Sequence, residues 1–412
     1  MEIIYRCCCG LDVHAKTVVA CLIQDGKKII RTFSTMTEDL LALLDWLQEA
    51  GCTHVAIEST GIYWRPVFNV LEGSMTVILV NARHMKAVPG RKTDVRDCEW
   101  IADLLRHGLL KASFIPPREI RELRELTRYR QTLTGEQARI ANRIQKVIES
   151  GNIKLGQVAA DALGVSGRKI LHRLAAGDTD AEGMASLAQK RLIRKKAELR
   201  RALVGTLTEA QRWVLAELLA RYEELEGAIA RVNERIDKEL AQCKDPFVKE
   251  AVQMLDEIPG IGKPIAQQTI AEIGVEMSAF PSERHLSSWS GLSPGNDESA
   301  GKRRSGKTTK GNPYLRSALV QAAWAASHTK NTYLAAQYHR LARRLGKKKA
   351  LVAVAHSILV IVYHMLSQQK SFHDLGGDYF DRRNQDALRK RLIRRLESLG
   401  VKVTVEPATQ AA

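Results

Sequence analysis

Leu218, Tyr222, Leu225, Ile229, Val232 and Ile236 follow one another at alternating steps of four and three. That spacing is a heptad seam, usable only by a long helix with an apolar partner. A coiled coil satisfies it, and antiparallel packing within one chain would give the same seam. The surrounding stretch, from about Glu119 to Lys244, is almost wholly helical in pattern and densely charged.

The residues before it obey a different period. Residues 3–11, 17–23 and 28–33 read as strands, with Asp25-Gly26 as a hairpin turn between the last two. A helix opens after Thr37 and runs to about residue 50, with Leu40, Leu41, Leu44 and Leu47 on one face. Residues 54–57 form a short strand ending in Glu58, and residues 75–80 another. This order predicts a hairpin-led mixed α/β sheet, then an all-α region.

A chain of 412 residues exceeds one ordinary core. The expected division is 1–117 for the sheet domain, 118–246 for a helical coiled-coil or dimerisation region, 247–380 for a Gly-rich, basic, mainly helical domain and 381–412 for a basic tail. The net charge of +17 favours a polyanionic partner, most simply nucleic acid, although a merely basic protein or membrane-surface contacts would also fit. The seven cysteines show no paired C-x-x-C spacing, and neighbours in Cys7-Cys8-Cys9 point to opposite faces of a strand. They read as reduced, mostly buried and cytosolic. The start "MEIIYRCCCG" lacks the marks of a signal peptide. The apolar run 350–366 is short for a membrane span and carries His356, Ser357 and His364, so it reads as a buried helix.

Four carboxylates stand out. Asp12 ends the first strand in "GLDVHAK", and Glu58 ends a later one in "VAIESTGIYW". Asp94 and Asp97 lie in "RKTDVRDCEWIADLL", which reads as a helix beginning near Thr93, and a spacing of three puts both on one face. Singly, Asp94 could be a helix N-terminal charge and Asp97 a solvated surface acid. Together, such acids could hold a pair of Mg²⁺ ions, which take few protein oxygens and stabilise the entering and leaving oxygens of a phosphodiester exchange.

The third region holds two Gly-rich elements. "LDEIPGIGKPIAQQTIAEIG" has the core of a helix-hairpin-helix, in which Gly260, Gly262 and Lys263 would meet a backbone phosphate; an ordinary tight helix connection is the alternative. "GKRRSGKT" at 301–308 fits the phosphate-loop pattern, but a turn-rich polar segment precedes it, and Gly311 and Pro313 fall where its helix should run. What remains is a basic loop with Lys302, Arg303, Arg304, Lys307, Lys310 and Arg316, free of acids from Ser299 to Arg316. Such a loop suits several phosphates and makes binding salt-dependent.

"GLDVHAK", "IESTGIYW" and "KTDVRDC" resemble the ordered motifs of the DEDD insertion-sequence transposases, the RuvC-like enzymes called bridge-RNA-guided recombinases. Cys98 stands where that family usually has a small alanine, which fits a buried position. The resemblance implies an RNase H/RuvC-like fold with Asp12, Glu58, Asp94 and Asp97 as its acids. It also implies a C-terminal transposase domain in which Ser299 of "ESAGK" is the nucleophile. Actin-like ATPases also begin with an Asp on a hairpin-led sheet, but no second copy of the sheet pattern follows here. The resemblance further implies Mg²⁺ in a two-metal site, DNA at element ends and target, a guide RNA, and a homo-oligomer that is a dimer or, in a synaptic complex, a tetramer. A cytoplasmic, nucleoid-associated protein with no membrane partner is expected. A junction-resolving nuclease that uses water and a non-catalytic nucleic-acid scaffold remain the rival readings.

Overall fold

The computed structural model describes residues 2–59, 61–81, 97–295, 297–299, 302–383 and 385–404, with the backbone alone at 297–299, 302–305, 387, 388 and 391. The chain divides into two compact units, Met1–Ile115 and Pro116–Ala412.

The first unit is built on strands β1 (Cys7–Val13), β2 (Thr17–Gln24), β3 (Lys27–Ser34), β4 (His54–Glu58) and β5 (Thr76–Val80). They form one mixed sheet in the order β3-β2-β1-β4-β5, antiparallel across the first three and parallel from β1 to β4 to β5. Asp25 and Gly26 both take positive φ, 47° and 87°, so the turn between β2 and β3 twists with its strands. Helices α1 (Thr37–Glu49), α2 (Trp64–Leu71) and α3 (Asp97–Arg106) complete the unit. The predicted first strand starts four residues too early and stops two too soon. Ile3 and Ile4 are 46% and 57% exposed, and the Ile4 and Tyr5 amides both donate to the Arg106 carbonyl at the end of α3. The helix expected from Thr93 is described from Asp97 onward.

Strand alternation assigns each face. Cys9, Leu11, Val13, Val55, Ile57 and Leu79 pack with Leu40, Leu43, Leu47, Phe68 and Leu71 of α1 and α2. Cys8, Cys21, Ala56 and Val80 pack with Cys98, Ile101, Ala102 and Leu105 of α3. The cysteine run is therefore split between two cores, as its position on a strand requires. All seven cysteines are free, five of them buried and Cys7 and Cys243 half-buried.

The second unit opens on two long helices, α4 (Arg118–Ser150) and, after a capping segment, α9 (Glu209–Gln242). Their register is antiparallel: Glu119 accepts from the Lys244 amide at 3.1 Å, Arg130 donates to Asn233 at 3.0 Å, and Gln211 donates to Ser150 at 3.0 Å. The heptad seam is thus used within one chain, with Leu225 and Ile236 buried. Between the two arms lie α5 (Leu155–Val158), α6 (Val165–Ala175), α7 (Ala181–Ala185), a 3₁₀ turn (Lys190–Lys195) and α8 (Lys196–Ala202).

The remainder comprises α10 (Pro246–Asp256), α11 (Lys263–Ile273), α12 (Glu283–Ser290), the two-stranded arm β6 (Asp297–Ser299) and β7 (Lys302–Ser305), then α13 (Pro313–Ala326), α14 (Tyr333–Leu345), α15 (Lys347–Gln368), α16 (Tyr379–Arg383) and α17 (Gln385–Glu397). By length and composition α15 could cross a membrane. Here its Val354, Ile358, Leu359 and Val362 are fully buried, and Ser357 accepts from Gln337 of α14 at 2.9 Å, so it serves as a core helix.

Two expectations follow. A Cβ on Gly10 would lie 2.3 Å from the Cys98 carbonyl oxygen and 2.4 Å from the Ala102 amide. Gly10→Ala should therefore cost about 1–3 kcal/mol in urea unfolding by forcing α3 off the sheet. Burial pushes the thiol of Cys8 up to about 11 and those of Cys21 and Cys52 up to about 12. A thiolate-seeking reagent at pH 8 should leave these three unmodified in the folded protein and reach all seven cysteines only after unfolding.

Candidate functional site

The Gly10 contact positions the first site. Because α3 lies directly on β1 there, its Asp97 end comes toward the strand's C-terminal end, while Arg106 at its far end meets Tyr5. β1 and β4 are parallel with Leu11 opposite Ile57, so the next residues along, Asp12 and Glu58, are neighbours on adjacent strands. Leu11 and Ile57 face α1 and α2; alternation therefore turns Asp12 and Glu58 to the α3 side. Asp97 is the first described residue of that helix. Asp12 and Glu58 thus lie side by side at the C-terminal end of two inner strands, and Asp97 is on the helix that covers that face of the sheet. Asp94, the fourth, lies outside the described residues. An Asp12 oxygen sits 3.2 Å from Nε2 of His14. Among the described residues, no three His, Cys, Asp or Glu side chains converge closely enough to ligate one ion. In chemistry, all-oxygen donors of this kind suit Mg²⁺.

The second candidate lies in the other unit. α10 and α11 are joined by a tight turn where the helix-hairpin-helix was predicted. Gly260 has φ +92°, and a Cβ there would stand 2.2 Å from the Ala322 carbonyl oxygen and 2.6 Å from the Ala326 amide. Its need for glycine therefore comes from packing on α13, whose alanines let the turn approach. Gly262, Lys263 and Pro264 are exposed where α11 begins. Lys263 is already engaged, its Nζ 2.7 Å from Asp237 of α9.

After α12 the chain runs out and back as an arm. Ser299 pairs with Lys302 across β6 and β7, which places Ser299 at the arm's tip. The base is pinned by the Gly295 amide donating to the Lys307 carbonyl at 2.7 Å and by a bridge between Pro294 and Thr308. Gly291 and Gly311 meet backbone to backbone there; a Cβ on Gly311 would lie 2.2 Å from the Gly291 amide. Lys307 and Lys310 are exposed, Arg316 is half-buried, and the side chains of Lys302, Arg303 and Arg304 lie outside the described atoms. The strand before 301–308 is the three-residue β6, which pairs only with β7, and the helix after it begins at Pro313, past Gly311, rather than at the Lys307-Thr308 end of the pattern. The phosphate-loop pattern is therefore met in letters alone.

Sequence reasoning missed what holds the arm. Glu272 of α11 is fully buried, and Arg128 of α4 donates to both its oxygens, at 2.7 and 2.8 Å. Arg124 approaches it at 3.4 Å and also donates to the Ala271 and Glu272 carbonyls. Asn312 completes the set, its amide 2.6 Å from the carboxylate, while its own oxygen caps the Tyr314 and Leu315 amides. Arg128 also lies over the Tyr314 ring at 4.4 Å. Nearby, Arg130 donates to Gln267 and to the Pro264 carbonyl, and burial pushes its guanidinium down to about 10. An acid inside the otherwise apolar "TIAEIG" was the available signal, legible only once its partners were known. Glu272→Gln should lower unfolding stability by about 1.5–3 kcal/mol, measured in urea, because it leaves two partly buried guanidinium groups without their anion.

Residues 9–152 match the profile of a DEDD-type transposase family, described as Transposase, and residues 252–340 match one described as Transposase IS116/IS110/IS902 family. The chain is similar to the pilin gene-inverting protein of Moraxella bovis, 29% identical over 137 residues, which are 32% of this chain and 42% of that protein. It is similar to two Sinorhizobium fredii proteins named as transposases. One, y4pF/y4sB, is 28% identical over 197 residues, 46% of this chain and 49% of its own length. The other, y4rJ, is 26% identical over 255 residues, 60% of this chain and 58% of its own length. The chain thus spans about half the length of the curated relatives it matches. With the strand-end acids inside the first matched segment and the Ser299 arm inside the second, this chain belongs to the IS110-type DEDD transposase family.

Proposed function

We propose that this chain is a mobile-element transposase or recombinase that exchanges DNA strands. Its first unit is read as an RNase H/RuvC-like domain. Its second is read as a helical spacer, 118–246, followed by a serine-bearing transposase domain, 247–380, and a basic tail. What supports the reading is the parallel pairing that sets Asp12 beside Glu58 on the face covered by α3, the helix carrying Asp97, inside a segment that matches a DEDD transposase.

Asp12, Glu58, Asp94 and Asp97 are the residues that would hold Mg²⁺, which when bound supplies charge stabilisation to a transferring phosphoryl group. In the proposed reaction the Ser299 hydroxyl attacks a DNA phosphorus. The Oγ–P bond forms, the P–O bond to the leaving strand breaks, and the serine proton ends on the leaving oxygen. A strand hydroxyl then attacks the same phosphorus and releases serine. Each step exchanges one phosphoester for another, so no nucleotide is consumed. Lys302, Arg303, Arg304, Lys307, Lys310 and Arg316 would grip the flanking phosphates, as would Gly260, Gly262 and Lys263 at the helix-hairpin-helix. Family resemblance supports a guide RNA and a dimer or tetramer, in which the acids of one subunit could serve the serine of another.

The test is incubation of the full chain, co-purifying RNA and element-end DNA with Mg²⁺, followed by denaturing electrophoresis. A protein–DNA adduct that survives denaturation is expected, lost in Ser299→Ala with DNA binding retained. Full recombination by Ser299→Ala would overturn the serine step in favour of hydrolysis. Glu58→Gln or Asp12→Asn should reduce strand transfer on the order of 10²-fold or more. Unchanged activity in both would make these acids structural and the protein a scaffold.

A further inference from the structure

The segment between the two arms is a small cap with its own core. Its inner side, including Leu171, Leu174, Met184, Leu199 and Leu203, packs with Ile144 and Ile148 of α4 and with Leu215 and Leu219 of α9. Backbone bonds from the Lys154 amide to the Ala202 carbonyl and from the Thr206 amide to the Gly151 carbonyl close it at its base, at 2.8 and 3.1 Å. Neither matched family segment, 9–152 or 252–340, reaches α6, α7, the 3₁₀ turn or α8.

The outer side is strongly basic. Lys190, Arg191, Arg194, Lys195, Lys196, Arg200 and Arg201 are all exposed, against a single acid within the same stretch, Glu198. Lys196 and Arg200 share Glu182, at 3.1 and 3.6 Å, and Lys195 reaches only the Val158 carbonyl. Among the described residues, Lys190, Arg191, Arg194 and Arg201 meet no carboxylate within ion-pair distance. Lys190 moreover has φ +52°, a left-handed conformation that glycine or asparagine would adopt at less cost. A lysine at a strained turn, followed by cations without a carboxylate partner among the described residues, describes a surface suited to an anion rather than a solvated helix face.

The long arms set its position. Arg130 of α4 is bonded to Pro264 at the helix-hairpin-helix, and α4 continues to Ser150 beneath the cap. At 1.5 Å per residue that separates the cap from the hairpin by about 30 Å. One turn of B-DNA spans roughly 34–36 Å. We propose that the exposed basic face of the cap, centred on Lys190, Arg191, Arg194 and Arg201, is a second docking surface for the phosphate backbone of duplex DNA. It would engage the duplex about one helical turn from the helix-hairpin-helix and the basic arm. It carries no base-reading element and so adds affinity without sequence choice. This inference rests on the DNA-handling reading above.

The test measures binding of the full chain to a labelled random-sequence duplex of about 40 base pairs as salt is raised. Lys190→Ala/Arg191→Ala/Arg194→Ala/Arg201→Ala should flatten the log–log salt slope by about 3 to 4 and weaken binding at least tenfold near 0.1 M salt, with an unchanged thermal midpoint. Glu198→Lys, a change on the same exposed face, should steepen the slope by about one. Lys307→Ala/Lys310→Ala/Arg316→Ala is the companion variant. If it loses DNA binding while the cap variants behave as the parent chain, the cap proposal fails and the proposed function stands. If the parent chain itself does not bind DNA, the functional reading fails first. A loss confined to a structured RNA or to anionic vesicles would overturn the assignment to DNA.

Discussion

The second unit is organised around a carboxylate that has no access to water. Two guanidinium groups from α4 and the Asn312 amide take up the oxygens of Glu272 there. Removing one partner from such a set strands the others, so the four groups stand or fall together. The geometric consequence is larger than the energetic one. α4, α11 and the start of α13 are locked at one point, and Asn312 is where the Ser299 arm returns to the helical body. The arm's base is narrowed further by Gly291 and Gly311, whose backbones touch. A tip residue on a short two-stranded arm is thereby tied to a helix more than thirty residues long.

In the first unit a missing side chain has the comparable role. Gly10 lets α3 sit on β1, and that contact carries Asp97 toward the end of the sheet where Asp12 and Glu58 emerge. Parallel pairing of β1 with β4 places the two strand acids side by side on one face. A pair of acids at the end of the sheet's inner strands then follows from the topology.

The sheet was legible because alternation and the Asp25-Gly26 turn are local signals, and β1 was misplaced where the local signal misleads. Ile3 and Ile4 look like strand residues, yet the Ile4 and Tyr5 amides are spent on the Arg106 carbonyl at the far end of α3. The heptad seam announced a long helix but could not say whether its partner lay in the same chain; hydrogen bonds such as Arg130 to Asn233 settle that. Gly260 was legible as a tight-turn glycine, but that its Cβ position is filled by α13, more than sixty residues on in sequence, has no local signal. The cap's basic face passed unnoticed because, as sequence, it was one more charged helical stretch. Burial of Leu199 and Leu203 beneath it is what turns the cations to one side.

By itself the sequence determined the period of each region, the acid-free basic arm and the motifs that carry the family resemblance. These depend on residues near one another in the chain, where spacing equals geometry. Only the tertiary structure decided which acids share a face, why Gly10 and Gly260 must be glycine, and that Lys263 is already paired with Asp237. It alone showed Glu272 as the anchor of the Ser299 arm. Each of those depends on a partner from another element, and side-chain chemistry in a folded chain is set by such partners more than by sequence neighbours.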